Sequence, residues 1–210
     1  MLRILIADDH AIVREGLKQV LVEEFSDAHI AETSSGKETL DAIHTQQLDV
    51  LILDIHFPDI NGLDILKEVR TVQPTLPVVI LSLYPEEQYG IRVLKAGGSA
   101  YLTKESAPEE LVSAVKKVLG GGRYVSPSLA EQLAANLAPH AQWPLHQTLS
   151  DRELEVLRNL ASGKTVTDIS KTLTLSVKTI STYRSRLLEK LHLKTTGDLI
   201  RYAVDNGFVN

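Results

Sequence analysis

The chain has 210 residues, 43% of them hydrophobic and 23% charged, no cysteine, and a formal net charge of -5 at pH 7. That is ordinary globular composition for one or two domains, and it excludes wholesale disorder, a disulfide framework, a cysteine-bound metal and thiolate catalysis. No apolar run approaches the roughly 20 residues that span a bilayer, and the opening apolar run meets Asp8 and Asp9 too soon for a signal peptide, so a cytoplasmic chain with no membrane partner is expected.

Short apolar runs alternate with helical patterns from the start. Leu2–Ala7, Ala28–Thr33, Val50–Leu53, Val78–Leu81 and Ala100–Leu102 suit strands, several of them nearly continuous Val, Ile and Leu, as strands covered on both faces are. Between them, apolar residues recur at helical spacing, as in Val13, Leu17, Val20 and Leu21, or Leu111, Val115, Val118 and Leu119. Five strand–helix alternations predict a doubly wound α/β domain with a parallel sheet over residues 1–120. Gly120-Gly121-Gly122 breaks the pattern, and Pro139 and Pro144 follow, so residues 121–147 read as a partly helical linker.

The remaining segment, 148–210, contains no strand-like run and reads as a small all-α domain of four helices. Ser150 and Glu153 form a capping-box signature; a second helix fits Thr167–Leu173, Ser176 caps a third running to Leu191, and Asp198–Asp205 fits a fourth. Charge divides along the same boundary. Residues 1–147 carry 12 Lys and Arg against 20 Asp and Glu, and residues 148–210 carry 10 against 7. An acidic body with a basic tail predicts two modules, one of them suited to nucleic acid.

In a doubly wound sheet the carboxyl ends of the strands carry the ligand site. Here those ends bring Asp8 and Asp9, Asp54, Ser82, and Thr103-Lys104 to one edge. Crowded carboxylates repel unless a cation sits among them, and oxygen ligands suit Mg²⁺ (or Mn²⁺). With that charge screened, Asp54 can attack phosphorus as a carboxylate nucleophile, while Lys104 and Ser82 bind the phosphoryl oxygens. A single strand-end Asp more often caps the next helix; the whole set on one edge points to a site. His56 adjoins Asp54, but no other His stands at ligand spacing, so its side chain is expected to be a bystander.

Asp8-Asp9, Asp54 with Pro58 and Gly62, then Ser82, Tyr101 and Lys104 resemble the receiver domain of two-component response regulators. The resemblance covers Leu2–Leu119 and implies strand order 2-1-3-4-5, a phosphoacceptor at Asp54, and a cation held by Asp9, Asp54 and the main-chain carbonyl of His56, with Asp8 acting through water. It implies that Ser82 and Tyr101 are a switch pair: Ser82 turns to the phosphoryl group and Tyr101 moves inward, shifting a two-state equilibrium. Phe57 stands where many receivers have Met. Glu105 follows Lys104 where many have Pro after a cis bond; a cis bond to a non-proline costs about 2.5–4 kcal/mol, so either the site stabilises it or Lys104 is placed differently.

In the tail, helix, short Thr174-Leu175 connection and Ser176-capped helix have the cadence of a helix-turn-helix. Lys178, Ser181, Thr182 and Ser185 share one face, with Ile180, Leu187 and Leu191 nearly opposite. Small hydroxyls let a helix approach a groove floor, while Lys178, Arg184, Arg186 and Lys190 can reach phosphates. Leu149–Leu157, Gly163, Ile169, Leu175–Ile180 and Lys190-Leu191 resemble the LuxR-type DNA-binding domain, and with the receiver in front the chain resembles the NarL/FixJ class of response regulators. That implies DNA and a sensor histidine kinase as partners and a homodimer on activation, for which Leu199, Ile200 and Ala203 offer a surface or, equally, a packing face within their own domain. Ser181 and Ser185 replace lysines found in several members, and Val166-Thr167 replaces a frequent Asn-Lys, so a shallower salt dependence is expected.

The class implied is not enzymatic beyond Mg²⁺-dependent phosphotransfer to itself and dephosphorylation. Two alternatives keep parts of the pattern: a receiver controlled by protein contacts alone, and a Mg²⁺-dependent aspartyl phosphohydrolase. The second leaves the basic tail unexplained.

Overall fold

The computed structural model describes residues 1–137 and 144–208. The chain divides into two units, Met1–Leu137 and Ala138–Asn210.

In the first, β1 (Arg3–Ala7), β2 (His29–Thr33), β3 (Val50–Asp54), β4 (Val78–Ser82) and β5 (Ala100–Thr103) form one sheet. Its order is β2-β1-β3-β4-β5 and every pairing is parallel. The helices are α1 (Ala11–Glu24), α2 (Gly36–Thr45), α3 (Gly62–Val72), α4 (Glu86–Lys95), α5 (Ala107–Leu119) and α6 (Pro127–Leu137). β3 and β4 are buried at every position, which is why they read as unbroken apolar runs instead of alternating. Ile4, Ile6, Ile52, Val79, Leu81 and Leu102 pack with Leu17 and Leu21 of α1 and Leu111, Val115 and Val118 of α5. Each such side chain contributes about 1.5–3 kcal/mol relative to exposure.

Strand register sets the site. Ala7 pairs with Leu53 and Asp54 with Leu81, while Ser82 pairs with Thr103 and Lys104 N donates to Ser82 O at 2.8 Å. Asp8, Asp54, Ser82 and Lys104 are thereby carried to one sheet edge. Gly62 closes the turn after β3: a Cβ there would stand 2.2 Å from the Asp54 carbonyl oxygen and 2.7 Å from Ile55 Cα. Only glycine permits that approach.

The helix anticipated within the linker is α6, and it belongs to the first unit. Leu129 is buried against Ile91 and Leu94 of α4, so the unit runs to Leu137 instead of ending near Gly120. Residues 138–143 of the expected linker lie outside the described residues.

The second unit contains a 3-10 turn (Leu145–Thr148) and α7 (Asp151–Ala161), α8 (Val166–Thr172), α9 (Val177–Lys190) and α10 (Thr196–Asp205). Three of these four helices start with complete capping boxes: Ser150 with Glu153, Thr165 with Asp168, and Thr195 with Asp198. Ser176 caps α9 by accepting from Thr179 N at 3.0 Å. The α8–α9 turn passes through Thr174 at φ 53°. Leu154, Leu157, Ile169, Ile180, Leu187, Leu199, Ala203 and Phe208 are buried at its centre. Among the described residues, no helix is long and apolar enough to cross a membrane.

Candidate phosphoacceptor site and nucleic-acid interface

Asp54 ends β3 and is 2% exposed; Asp8, just past β1, is fully buried. Between them stands Lys104, its Nζ 2.6 Å from Asp54 Oδ2 and 2.6 Å from Asp8 Oδ2. The other Asp54 oxygen, Oδ1, accepts from His56 N at 3.0 Å, and Asp8 Oδ1 accepts from His10 N at 2.8 Å. His10 Nδ1 lies 2.6 Å from Asp9 Oδ1 and 3.2 Å from Asp8 Oδ1. Burial, with the charge of Asp8, pushes the Asp54 carboxyl up to about 6 despite the His56 N–H and the Lys104 ammonium. Burial works against the Lys104 ammonium too, but its two carboxylate partners outweigh this and raise its pKa.

One ligand atom each from Asp8, Asp9, His10 and Asp54 lies within 4.8 Å of the others. Three carboxylates gathered this closely, two of them buried, fit a hard divalent cation, and the residues present are able to hold one. His10 is a member of this cluster that sequence reasoning missed. The signal was its place directly after Asp8-Asp9, but spacing does not say which way a side chain turns.

Ser82 is fully buried and its Oγ accepts from Tyr84 N at 3.0 Å. Tyr101, 1% exposed, stands in the inward position, its hydroxyl donating to Tyr84 O at 2.7 Å. Both expected switch residues thus meet on the backbone of Tyr84, a residue the sequence did not single out. His56 directs its ring at Tyr84, with Nε2 3.1 Å from the Tyr84 hydroxyl and the rings edge-on at 4.7 Å. Among the described residues no peptide bond is cis, so Lys104 reaches both carboxylates with an ordinary trans bond to Glu105.

On α9, Ile180 and Leu187 are buried while Lys178, Thr182, Ser185 and Arg186 are exposed, and Ser181 and Arg184 are half-buried. The Thr182 hydroxyl donates to Lys178 O at 3.0 Å and that of Ser185 to Ser181 O at 3.1 Å, so both lie tight against the helix. Val177 is 48% exposed at the helix start, an apolar side chain that charge and hydroxyl spacing did not single out.

Two expectations meet internal partners. The Lys190 ammonium is bound within its own unit, Nζ to Glu153 Oε2 at 2.7 Å and Thr148 O at 3.3 Å, because Glu153 is 2% exposed and a buried carboxylate needs a counter-charge; its side chain stays 39% exposed. Leu199 and Ala203 are fully buried and Ile200 is half-buried. Their stripe packs α10 on its own domain, so Leu199 and Ala203 are unavailable to a second copy; the exposed apolar residue of α10 is Val204.

Residues 4–116 match the response regulator receiver domain family, and residues 147–203 the luxR family of bacterial regulatory proteins. Over 211 aligned residues the chain is 31% identical to the response regulator UvrY of Escherichia coli K12, covering all of this chain and 97% of that protein. It is 33% identical to the response regulator GacA of Pseudomonas aeruginosa, covering 99% of it. Among solved structures, RcsB from Salmonella enterica serovar Typhimurium, bound to promoter rprA in the presence of phosphomimetic BeF3-, superimposes with a TM-score of 0.70 at 27% identity, covering 96% of this chain and 98% of that one. Strand order, the carboxylate edge and the helix-turn-helix tail agree with these likenesses: the chain belongs to the NarL/FixJ class of two-component response regulators.

Proposed function

We propose that Asp54 accepts a phosphoryl group from a sensor histidine kinase and that this controls sequence-specific DNA binding, and hence transcription, by the second unit. The observation that carries the reading is the buried Asp54 carboxylate with the Lys104 ammonium 2.6 Å from one oxygen. A carboxylate oxygen of Asp54 attacks phosphorus, the phosphorus–nitrogen bond of the donor phosphohistidine breaks, and its electron pair leaves with the imidazole, which takes up a proton. Lys104 moves from carboxylate to phosphoryl oxygen, and Ser82 turns its hydroxyl to another. A divalent cation, Mg²⁺ or Mn²⁺, would screen the carboxylates from the incoming phosphoryl charge; Asp9, Asp54 and the main-chain carbonyl of His56 are its proposed ligands, with Asp8 acting through water. The chain's own chemistry is confined to this transfer and to hydrolysis of the resulting acyl phosphate.

The kinase meets this site from α1. Ile12, 89% exposed, stands at a cleft of about 350 Å³ shared by Val13, Leu17, Val20, Lys104 and Pro108, so a partner seated there touches the residue that guards Asp54. On DNA, Lys178, Ser181, Thr182 and Ser185 face base edges, Arg184 and Arg186 reach phosphates, and a homodimer sets two such helices on two half-sites. Working with DNA and a kinase's phosphoryl group places the protein in the cytoplasm.

The test is intact-protein mass after incubation with Mg²⁺ and acetyl phosphate, beside Asp54→Asn. Gain of one phosphoryl group by the wild type alone is expected, followed by tighter operator binding. A folded wild type that gains nothing, from acetyl phosphate or from a phosphorylated kinase, would sink the reading and leave control by protein contacts.

A further inference from the structure

α6 is the segment of the first unit that immediately precedes the DNA-binding unit in the chain, and it is docked on one helix in particular. Leu129 is fully buried with Ile91 and Leu94 of α4, flanked by Val125 and Leu133. Residue 90, beneath Leu129, is glycine: a Cβ there would lie 2.9 and 3.0 Å from the two Leu129 methyls, which would have to shift. At the start of α6 the Ser126 hydroxyl donates to the Glu86 carboxylate of α4, and Ser126 Oγ also accepts from Leu129 N at 3.0 Å. Just before it, Tyr124 N donates to Ser99 O at 3.0 Å and the Tyr124 hydroxyl to Glu110 Oε2 at 2.8 Å. Mid-helix glycine in α4 disfavours the helix relative to alanine, and here it gives Leu129 its close approach.

The same helix is tied to the phosphoacceptor edge. Tyr84 N donates to Ser82 Oγ, Tyr84 O accepts from the Tyr101 hydroxyl, and the Tyr84 ring stacks on Tyr89 of α4, centroids 5.5 Å apart and planes 17° from parallel. Tyr89 adjoins Gly90. A continuous run of contacts therefore leads from Ser82 through Tyr84 and Tyr89 to the seat of Leu129.

We propose that α6 is a latch whose docking on α4 is set by the position of Ser82, so that phosphorylation of Asp54 frees α6 and lengthens the tether to the DNA-binding unit. This rests on Asp54 being the phosphoacceptor. When Ser82 turns toward a phosphoryl group it gives up the Tyr84 N–H; the loop carrying Tyr84 shifts, Tyr89 follows through its stacked ring, and the close fit of Leu129 over Gly90 opens. Adjacency alone does not demonstrate coupling, so the test must move each part separately. A freed segment behaves as flexible chain, about 5–6 Å × √n in reach, which widens the span over which two recognition helices find paired half-sites.

Hydrogen–deuterium exchange of the full chain, with and without Mg²⁺ and acetyl phosphate, reads the latch, while intact mass in the same samples reads phosphoryl uptake. Amides of α6 should exchange at least tenfold faster in the phosphorylated wild type. Gly90→Leu, which fills the seat while favouring the helix, and Leu129→Ala, which empties it, should both show fast α6 exchange without phosphodonor and DNA binding close to the phosphorylated level. Tyr84→Ala should take up the phosphoryl group yet keep α6 protected, a dissociation that a merely structural role for the ring does not produce. Phosphoryl uptake with unchanged α6 exchange, or seat variants that keep the wild-type phosphorylation dependence of DNA binding, would overturn the latch and leave the phosphoacceptor standing. No mass gain in the wild type would overturn both.

Discussion

Lys104 is one ammonium serving two buried carboxylates, 2.6 Å from each. Removing it leaves Asp8 and Asp54 facing each other without a counter-charge, and breaking a buried pair this way costs about 3–5 kcal/mol. Lys104→Met should therefore lower the urea midpoint by a large fraction of total stability, and millimolar Mg²⁺ should restore part of it; a midpoint indifferent to Mg²⁺ would show that the cation does not enter among these carboxylates. Glu153 plays a comparable part in the second unit, closing a capping box and pairing with Lys190. Burial would push its carboxyl up, but the Lys190 ammonium and the Ser150 N–H outweigh that and hold it below the usual range. A depressed folded pKa gives stability that is present above the unfolded value, about 4.3, and is lost as pH falls through the folded one. Wild type should thus lose more stability than Glu153→Gln on going from pH 6 to pH 3, by urea melts at both. These two cases show what was legible at this scale. Asp54, Asp8, Asp9 and Lys104 could be read because strand ends converge by rule, whereas the fate of Lys190 depends on Glu153, 37 positions away, and a spacing argument along one helix cannot see it.

Among the elements, the β3–α3 turn and α9 carry the sharpest expectations. A methyl at Gly62 meets main chain, not a yielding side chain, 2.2 Å from the Asp54 carbonyl oxygen. Gly62→Ala should destabilise by about 1–3 kcal/mol or more and, by displacing the end of β3, slow phosphoryl uptake more than a mutation of equal destabilisation elsewhere in the core, such as Val118→Ala; thermal melts and intact mass together check this. On α9, Lys178→Ala and Arg186→Ala should each reduce the salt slope of DNA binding by about 1. Lys190→Ala should leave that slope unchanged and lower stability instead, which titrations at several salt concentrations separate. Element types and their caps were legible because periodicity and capping chemistry are local, as with Ser176 and the Ser150–Glu153 box. The partner of an apolar stripe is not local: Leu199 and Ala203 form the same pattern whether they meet α7 or a second copy, and burial decided it.

For the whole molecule, the two-part reading came from charge and from the change of period after Gly122, both properties of composition along the chain. The point at which the first unit stops was less legible, because α6 has linker-like neighbours and its place in that unit comes from contacts with α4, such as Leu129 on Ile91 and Leu94 and Ser126 on Glu86. This arrangement also bears on pairing of copies. With Leu199 and Ala203 committed to their own core, substitutions there should unfold the second unit: Ala203→Asp should abolish cooperative melting of that unit, seen by circular dichroism and by exchange, and not yield a folded monomer that has merely lost a dimer contact.

The capping boxes at Ser150, Thr165 and Thr195 carry a consequence for time as well as for stability. Each reciprocal pair joins residues three apart, so the start of a helix is fixed before any distant contact forms. Helical domains built on such local contacts fold in microseconds to milliseconds, far ahead of parallel sheets that must bring remote strands together. The DNA-binding unit is thus expected to fold faster than the receiver. A whole chain refolding from denaturant would therefore hold a finished recognition helix while the parallel sheet of the first unit is still assembling, whereas on the ribosome the first unit has the head start of being made first.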